Sequence, residues 1–348
     1  MVEHAILSSV EADFASDADA WHQRAQWPMR QAECGRMDPK EAEARSMEVY
    51  QSALSELKVP EIFERFVDFL RSRCAVAAEA DADVCGDREG TLGREALMTK
   101  LEDAYMMAER VGAHSPHLAV GRAALLVELG KSDHAAEVLA AACQEEACRG
   151  SARVWSAALQ LAAQRKSDNV DLLADMSVQA LHAVPDSEAL DLWAQIFEMH
   201  ALLDMQAKPL LNLLEQRLSV TCLHLGDVAA MAVEWLVATE GLNEGREFYK
   251  RLLVLPGPSL TLFNSCIRLE DAAAQAKAFG DGITPELKRV RLLLEAAIAL
   301  YGSQDAALWL QLAQCERRAF GKEGKVYWRA IKQLIDPAEF IGAYKSMA

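Results

Sequence analysis

The chain has 348 residues, 51% of them hydrophobic, and a formal net charge of −16. That apolar content excludes wholesale disorder, and the acidic balance argues against nucleic-acid binding driven by the field of the chain as a whole. Ala, Leu and Glu dominate while Thr, Ile and Asn are sparse, a composition that favours helix over sheet.

Residues 1–27 hold two apolar-periodic pieces, the second ending in Ala20-Trp21-His22-Gln23-Arg24-Ala25-Gln26-Trp27, and Pro28 is expected to stop them. After a loop containing Gly35 and Asp38-Pro39, an amphipathic helix from Lys40 to Leu57 puts Ala44, Met47, Tyr50 and Leu54 on one face. Pro60 opens a further helix with the apolar stripe Ile62, Phe63, Phe66, Phe69 and Leu70. Residues 1–76 thus read as N-terminal helix pairs. Residues 77–93, acidic, small and glycine-bounded, read as a flexible insertion between two paired helices. The ligand spacing and closing Glu of a calcium-binding EF-hand are absent there.

From Arg94 the pattern is regular, and residues 94–348 read as an array with a terminal capping helix. The periodicity predicts helices over 94–111, 116–129, 132–147, 151–164, 169–183, 187–200, 206–219, 227–240, 243–255, 259–276, 285–300, 305–319 and 322–335. Turn chemistry marks the breaks. Pro185-Asp186-Ser187 and Pro256-Gly257-Pro258-Ser259 each offer a Ser to the next helix start, and Thr284-Pro285 is a cap followed by Pro at the first helical position. Gly130, Gly226 and Gly241 are expected to be C-terminal stops.

Each helix pair carries one anchoring side chain in its first helix: Trp21, Phe63, Leu118, Trp155, Trp193, Ala229, Phe263 and Trp309. The intervals run from 34 to 46, with one of 55 that contains the acidic stretch. Two helices per period of this length predict an all-α fold, a right-handed superhelical solenoid of TPR-like helix pairs. Trp155, Trp193, Phe263, Trp309, Leu312, Tyr327 and Ala330 are expected to be packing residues. Trp328 lies off the stripe of Val326, Ala330, Ile331 and Leu334. Packing on the terminal helix (Phe340, Ile341, Tyr344) is the expectation for it, with an exposed hot spot as the alternative.

Charge is uneven. From Pro285 onward ten Lys/Arg face seven Asp/Glu, a net of +3, so the preceding part carries about −19. Arg317, Arg318, Lys322, Lys325 and Arg329, with Trp328, are the candidate contacts to RNA or an acidic partner; a solvated helix face is the competing reading. The eight cysteines form no Cys-x-x-Cys pair, and buried free thiols are expected at such positions as Cys143, Cys222 and Cys315. His114 and His117 flank the helix start Ser115-Pro116 and make no metal pair. No Gly-rich phosphate loop, G-x-S-x-G elbow or H-E-x-x-H motif occurs, so no enzyme, cofactor or small-molecule substrate is expected. The N-terminus lacks a signal peptide's basic region and long apolar run, and no long charge-free stretch predicts a membrane span. A soluble, intracellular chain is expected.

Trp309-x-x-Leu312-x-x-x-Glu316 followed by Tyr327-Trp328-Arg329-Ala330-Ile331 resembles the half-a-TPR (HAT) repeat, and Phe263-x-x-x-Ile267-x-x-Glu270 is a looser copy. Residues 246–348 further resemble the C-terminal end of the family of the number-six U-three small-nucleolar-RNA-associated protein. The matching features are Arg246-Glu247-Phe248-Tyr249-Lys250-Arg251, the Ser259-led Phe263 helix, Leu300-Tyr301-Gly302-Ser303-Gln304-Asp305 before Leu308-Trp309, and Val326-Tyr327-Trp328-Arg329-Ala330-Ile331-Lys332. Over residues 1–245 the likeness lies in repeat pattern and order. Family members carry an N-terminal region before these repeats, so a fragment, a short gene model or a split gene is expected here.

The resemblance implies a non-catalytic scaffold of the small-subunit processome, acting in pre-ribosomal RNA processing and small-subunit biogenesis in the nucleolus. The partners it implies are other subunits of the UTP-B module, including β-propeller proteins. The U-three small nucleolar ribonucleoprotein and precursor RNA would be met mostly indirectly. The alternative is a HAT or TPR adaptor of splicing, messenger-RNA 3′-end formation or organellar RNA metabolism.

Overall fold

The computed structural model describes residues 17–82, 93–165, 170–203, 205–220, 225–276, 284–319 and 321–347. Among these residues there are eighteen α-helices and no strand, and no helix is long and apolar enough to cross a membrane. Contacts divide the chain into two compact units, Met1–Ser167 and Asp168–Ala348.

The first unit contains α1 (Ala18–Glu33), α2 (Pro39–Glu56), α3 (Pro60–Ala82), α4 (Arg94–Arg110), α5 (Pro116–Glu128), α6 (Ser132–Gln144), α7 (Glu146–Arg149) and α8 (Ala152–Gln164). The helix starts are chemically marked. Asp38 accepts from the backbone N–H groups of Lys40 and Glu41 with Pro39 just inside α2, and Ser115 accepts from Leu118 with Pro116 just inside α5. Packing is local: α1 lies on α2 and α3, α3 on α4 and α5, and α5 on α6 and α8. Tyr50, Phe63, Leu70, Leu97, Leu101 and Leu125 belong to one buried cluster. Residues before and after the acidic stretch therefore share a core. Residues 77–82, expected to belong to the flexible insertion, continue α3, and residues 83–92 of that expectation lie outside the described residues.

Polar bonds tie these helices where the apolar stripe gives out. Arg73 Nη2 lies 3.2 Å from Glu43 Oε2, joining α3 to α2. Arg71 donates to the Tyr105 hydroxyl at 3.1 Å and to the Gly121 carbonyl, joining α3 to α4 and α5. Gly121 has no room for a side chain, since a Cβ there would collide with the Tyr105 hydroxyl.

The second unit contains α9 (Val170–Ala183), α10 (Leu190–Leu202), α11 (Lys208–Val220), α12 (Gly226–Thr239), α13 (Leu242–Val254), α14 (Leu260–Ala276), α15 (Pro285–Tyr301), α16 (Ala306–Ala319), α17 (Glu323–Gln333) and α18 (Ala338–Met347). Here α9 packs on α10 and α11, α10 on α12, α12 on α13 and α14, α14 on α15, α15 on α16, and α16 on α17 and α18. Among the described residues, the larger contacts within each unit join helices one or two steps apart, and three steps apart across the four-residue α7.

Three local expectations are corrected. Pro28 does not stop a helix: it is buried inside α1, where packing outweighs the loss of one backbone bond. Ser187 caps nothing; α10 starts at Leu190 after a turn in which the Glu188 N–H donates to the Pro185 carbonyl at 3.0 Å. That turn is held by Arg217 of α11, which bonds both Asp186 and the Leu181 carbonyl. Gly226 is the first residue of α12 rather than a stop, and a Cβ on it would collide with Ser259, whose hydroxyl donates to the Gly226 carbonyl at 3.2 Å. Gly130 and Gly241 do end helical segments at positive φ, +73° and +102°. Ser259 and Thr284 cap as expected, accepting from Leu262 and Leu287 at 3.1 and 3.2 Å. Cys143, Cys148, Cys266 and Cys315 are buried free thiols, whereas Cys34 is exposed; Cys222 lies outside the described residues.

Candidate interaction site at the terminal helix pairs

Except for Trp21, which is half-buried, the anchoring side chains sit inside. Trp155, Trp193, Phe263, Trp309, Leu312 and Ala330 are buried, and Tyr327 is half-buried. The indole N–H groups of Trp155 and Trp309 are satisfied locally, donating to the Arg149 and Gly302 carbonyls at 2.7 Å each.

Around these anchors lies a set of ionic contacts. Arg246 of α13 donates to Glu270 of α14 through Nε and Nη2, both at 2.7 Å, in the forked geometry that suits a guanidinium to a carboxylate. The Tyr249 hydroxyl donates to Glu270 Oε1 at 2.7 Å. Glu286 of α15 reaches the same guanidinium at 3.5 Å. Arg289 lies 3.6 Å from Glu270 and 3.5 Å from Glu286. Two arginines thus balance two buried carboxylates, which is what makes such a cluster tolerable in a core. Glu270 holds the Arg246 guanidinium above its ordinary pKa, against the opposing effect of burial. Burial, then the Glu270 carboxylate, pushes the Tyr249 hydroxyl up.

The arrangement recurs one pair later. Glu316 follows Trp309 by the same seven positions as Glu270 follows Phe263, and Arg291 of α15 meets it at 2.5 Å. The glutamates were legible as motif positions in the sequence, but their arginines were not. The available signal was a basic residue, Arg246 or Arg291, beside apolar stripe positions of the preceding helix.

The candidate contact residues fall into two groups. Arg318 Nη1 bonds Asp271 Oδ1 at 2.9 Å. Arg329 grips Glu295 of α15 with bonds of 2.8 and 2.7 Å, and its guanidinium lies 5.4 Å from the centre of the Trp309 ring. The bond from Arg329 holds the Glu295 carboxyl below the usual carboxylate range. These two arginines are therefore engaged within the unit. Arg317, Lys322 and Lys325 are exposed, and Trp328 is 65% exposed. The ring that meets α18 is that of Tyr327, 5.9 Å from Phe340 and 4.8 Å from Tyr344, so Trp328 does not make the packing contact expected of it. Tyr327 precedes Trp328 and points at α18, which leaves its neighbour on the outer face. Among the described residues no group of three His, Cys, Asp or Glu is placed to hold a metal ion.

No curated protein matches the sequence. The pattern of the family described as U3 small nucleolar RNA-associated protein 6 C-terminal matches residues 44–334, from within α2 through the end of α17. That span takes in the Arg246–Glu270 cluster, the Arg291–Glu316 pair and the whole of the terminal helix pair. On that match over most of its length, the chain belongs to the U3 small nucleolar RNA-associated protein 6 C-terminal family.

Proposed function

We propose that the chain is a non-catalytic scaffold subunit of the small-subunit processome, built as a right-handed solenoid of HAT-like helix pairs. Membership of the family implies a part in U3 small-nucleolar-RNA-associated processing, and the match over residues 44–334 is the observation that carries the reading. The neighbour-to-neighbour packing within each unit supports it, because helices that pack mainly on near neighbours in sequence leave long faces open to partners. The partners would be other UTP-B subunits, β-propeller proteins among them, with the U3 ribonucleoprotein and precursor RNA reached mostly through those subunits. The acidic balance, −16 overall, supports protein rather than phosphate as the main ligand. Exposed Arg317, Lys322, Lys325 and Trp328, with Arg318 and Arg329 at their edge, would form the contact region.

Depletion of the chain in its own cells tests the reading. The expected result is a nucleolar signal for the tagged chain and accumulation of unprocessed small-subunit precursor RNA on its loss. A diffuse or organellar signal with normal precursor levels would contradict it and favour an adaptor of another RNA-processing complex.

A further inference from the structure

The outer face of α17 presents Lys325, Trp328 and Lys332 at positions i, i+3 and i+7, a single stripe on a helix. All three are exposed. Just past the helix end Ile335 adds a second large apolar side chain, 77% exposed, while its backbone N–H is pinned to the Ser303 carbonyl at 3.0 Å. An indole and an isoleucine held in water are costly surfaces to leave uncovered.

The residues flanking Trp328 are packed. Tyr327 meets the Trp328 ring edge-on at 5.4 Å and is itself clamped by Phe340 and Tyr344. Arg329, next to Trp328, is fixed by its two bonds to Glu295. The one guanidinium within reach is thus neutralised, and among the described residues no carboxylate meets Lys325 or Lys332. α18 packs on the Tyr327 side and leaves the stripe open.

We infer that this stripe is the seat of an acidic amphipathic helix from a protein partner. One large apolar side chain of that helix would lie on Trp328, with Asp or Glu a turn to either side meeting Lys325 and Lys332. An exposed indole with a lysine a turn to either side is the form of a binding hot spot. RNA is the less suitable occupant. The adjacent arginine is already engaged by Glu295, and Ile335 offers nothing to a phosphate. The inference deepens the scaffold reading and rests on it.

The test is site-directed photocrosslinking with the full chain in its own cells. A benzoylphenylalanine replaces Trp328, and a control chain carries it instead at Val254, an 85% exposed position on α13. Crosslinked peptides and RNA are sequenced, and co-sedimentation with precursor particles is scored separately. The expected product is an Asp/Glu-rich amphipathic segment of a protein, absent from the Val254 control. Its yield should fall about tenfold in K325E/K332E and recover when the crosslinked acidic residues are changed to Lys, in line with hot-spot energetics. Crosslinks to RNA, no crosslink above the control, or a protein crosslink indifferent to charge reversal would each overturn the inference. Failure of the unmodified chain to sediment with precursor particles would instead count against the scaffold reading.

Discussion

Trp193 is completely buried in α10 and lies 5.5 Å from Phe197, which in turn stacks at 4.9 Å on Trp235 of α12. Trp193→Ala is expected to cost roughly 3–5 kcal/mol, read as a lower melting temperature; an unchanged melt would refute the packing role. His200, about two turns further along the same helix, is 2% exposed, and burial is the main cause that lowers its pKa from 6.5 to about 4. The unfolded chain takes up a proton that the folded chain resists, so the stability from neutral His200 is full above pH 6.5 and is lost as pH falls towards 4. His200→Gln should flatten the loss of stability across that window by up to about 3 kcal/mol, as measured by denaturant melts at pH 7 and pH 4.5. A variant as acid-sensitive as the parent would refute this. At this scale the sequence was most informative where size alone decides: a Trp recurring at repeat spacing has few places to go but inwards. It was least informative for Tyr327 and Trp328. They are adjacent and aromatic, and only the position of α18 determines which of them is covered.

The joints between helices differ in strength, and burial is the reason. Glu270 is fully buried beneath Arg246, Tyr249 and Arg289, whereas the Asp271–Arg318 pair beside it is about half in water. Glu270→Gln should leave Glu286 alone against two guanidinium groups and cost about 3–5 kcal/mol. Asp271→Asn should cost no more than about 1 kcal/mol. Equal losses in paired melting experiments would show that the cluster is not the joint between α13 and α14. Gly245 makes a second joint. A Cβ there would collide with Val237 of α12, so Gly245→Ala is expected to lower the melting temperature despite Ala's better helix propensity, and a rise would contradict that close approach. Most of the helices were legible from periodicity and caps, as Ser115, Ser259 and Thr284 illustrate. The misreadings came where a distant contact overrode local grammar. Packing keeps Pro28 inside α1, Arg217 holds the Pro185 turn open past Ser187, and Ser259 needs the bare backbone of Gly226.

Across the whole chain, charge and sequence pattern point to assembly. The family pattern covers residues 44–334, in both compact units. The net charge of −16 coexists with a terminal segment whose exposed lysines flank Trp328. What could be read of the candidate site in advance was its location and sign. Its division into engaged arginines and outward lysines could not be read, because the partners Asp271 and Glu295 lie 47 and 34 positions away in sequence. The central claim is that this chain is a scaffold of U3-associated processing particles. Affinity purification of the full chain from its own cells, with sequencing of the bound RNA and identification of the bound proteins, tests that most directly. The account predicts recovery of U3 small nucleolar RNA, precursor ribosomal RNA and β-propeller subunits of the processome; a purification that yields none of these would contradict it.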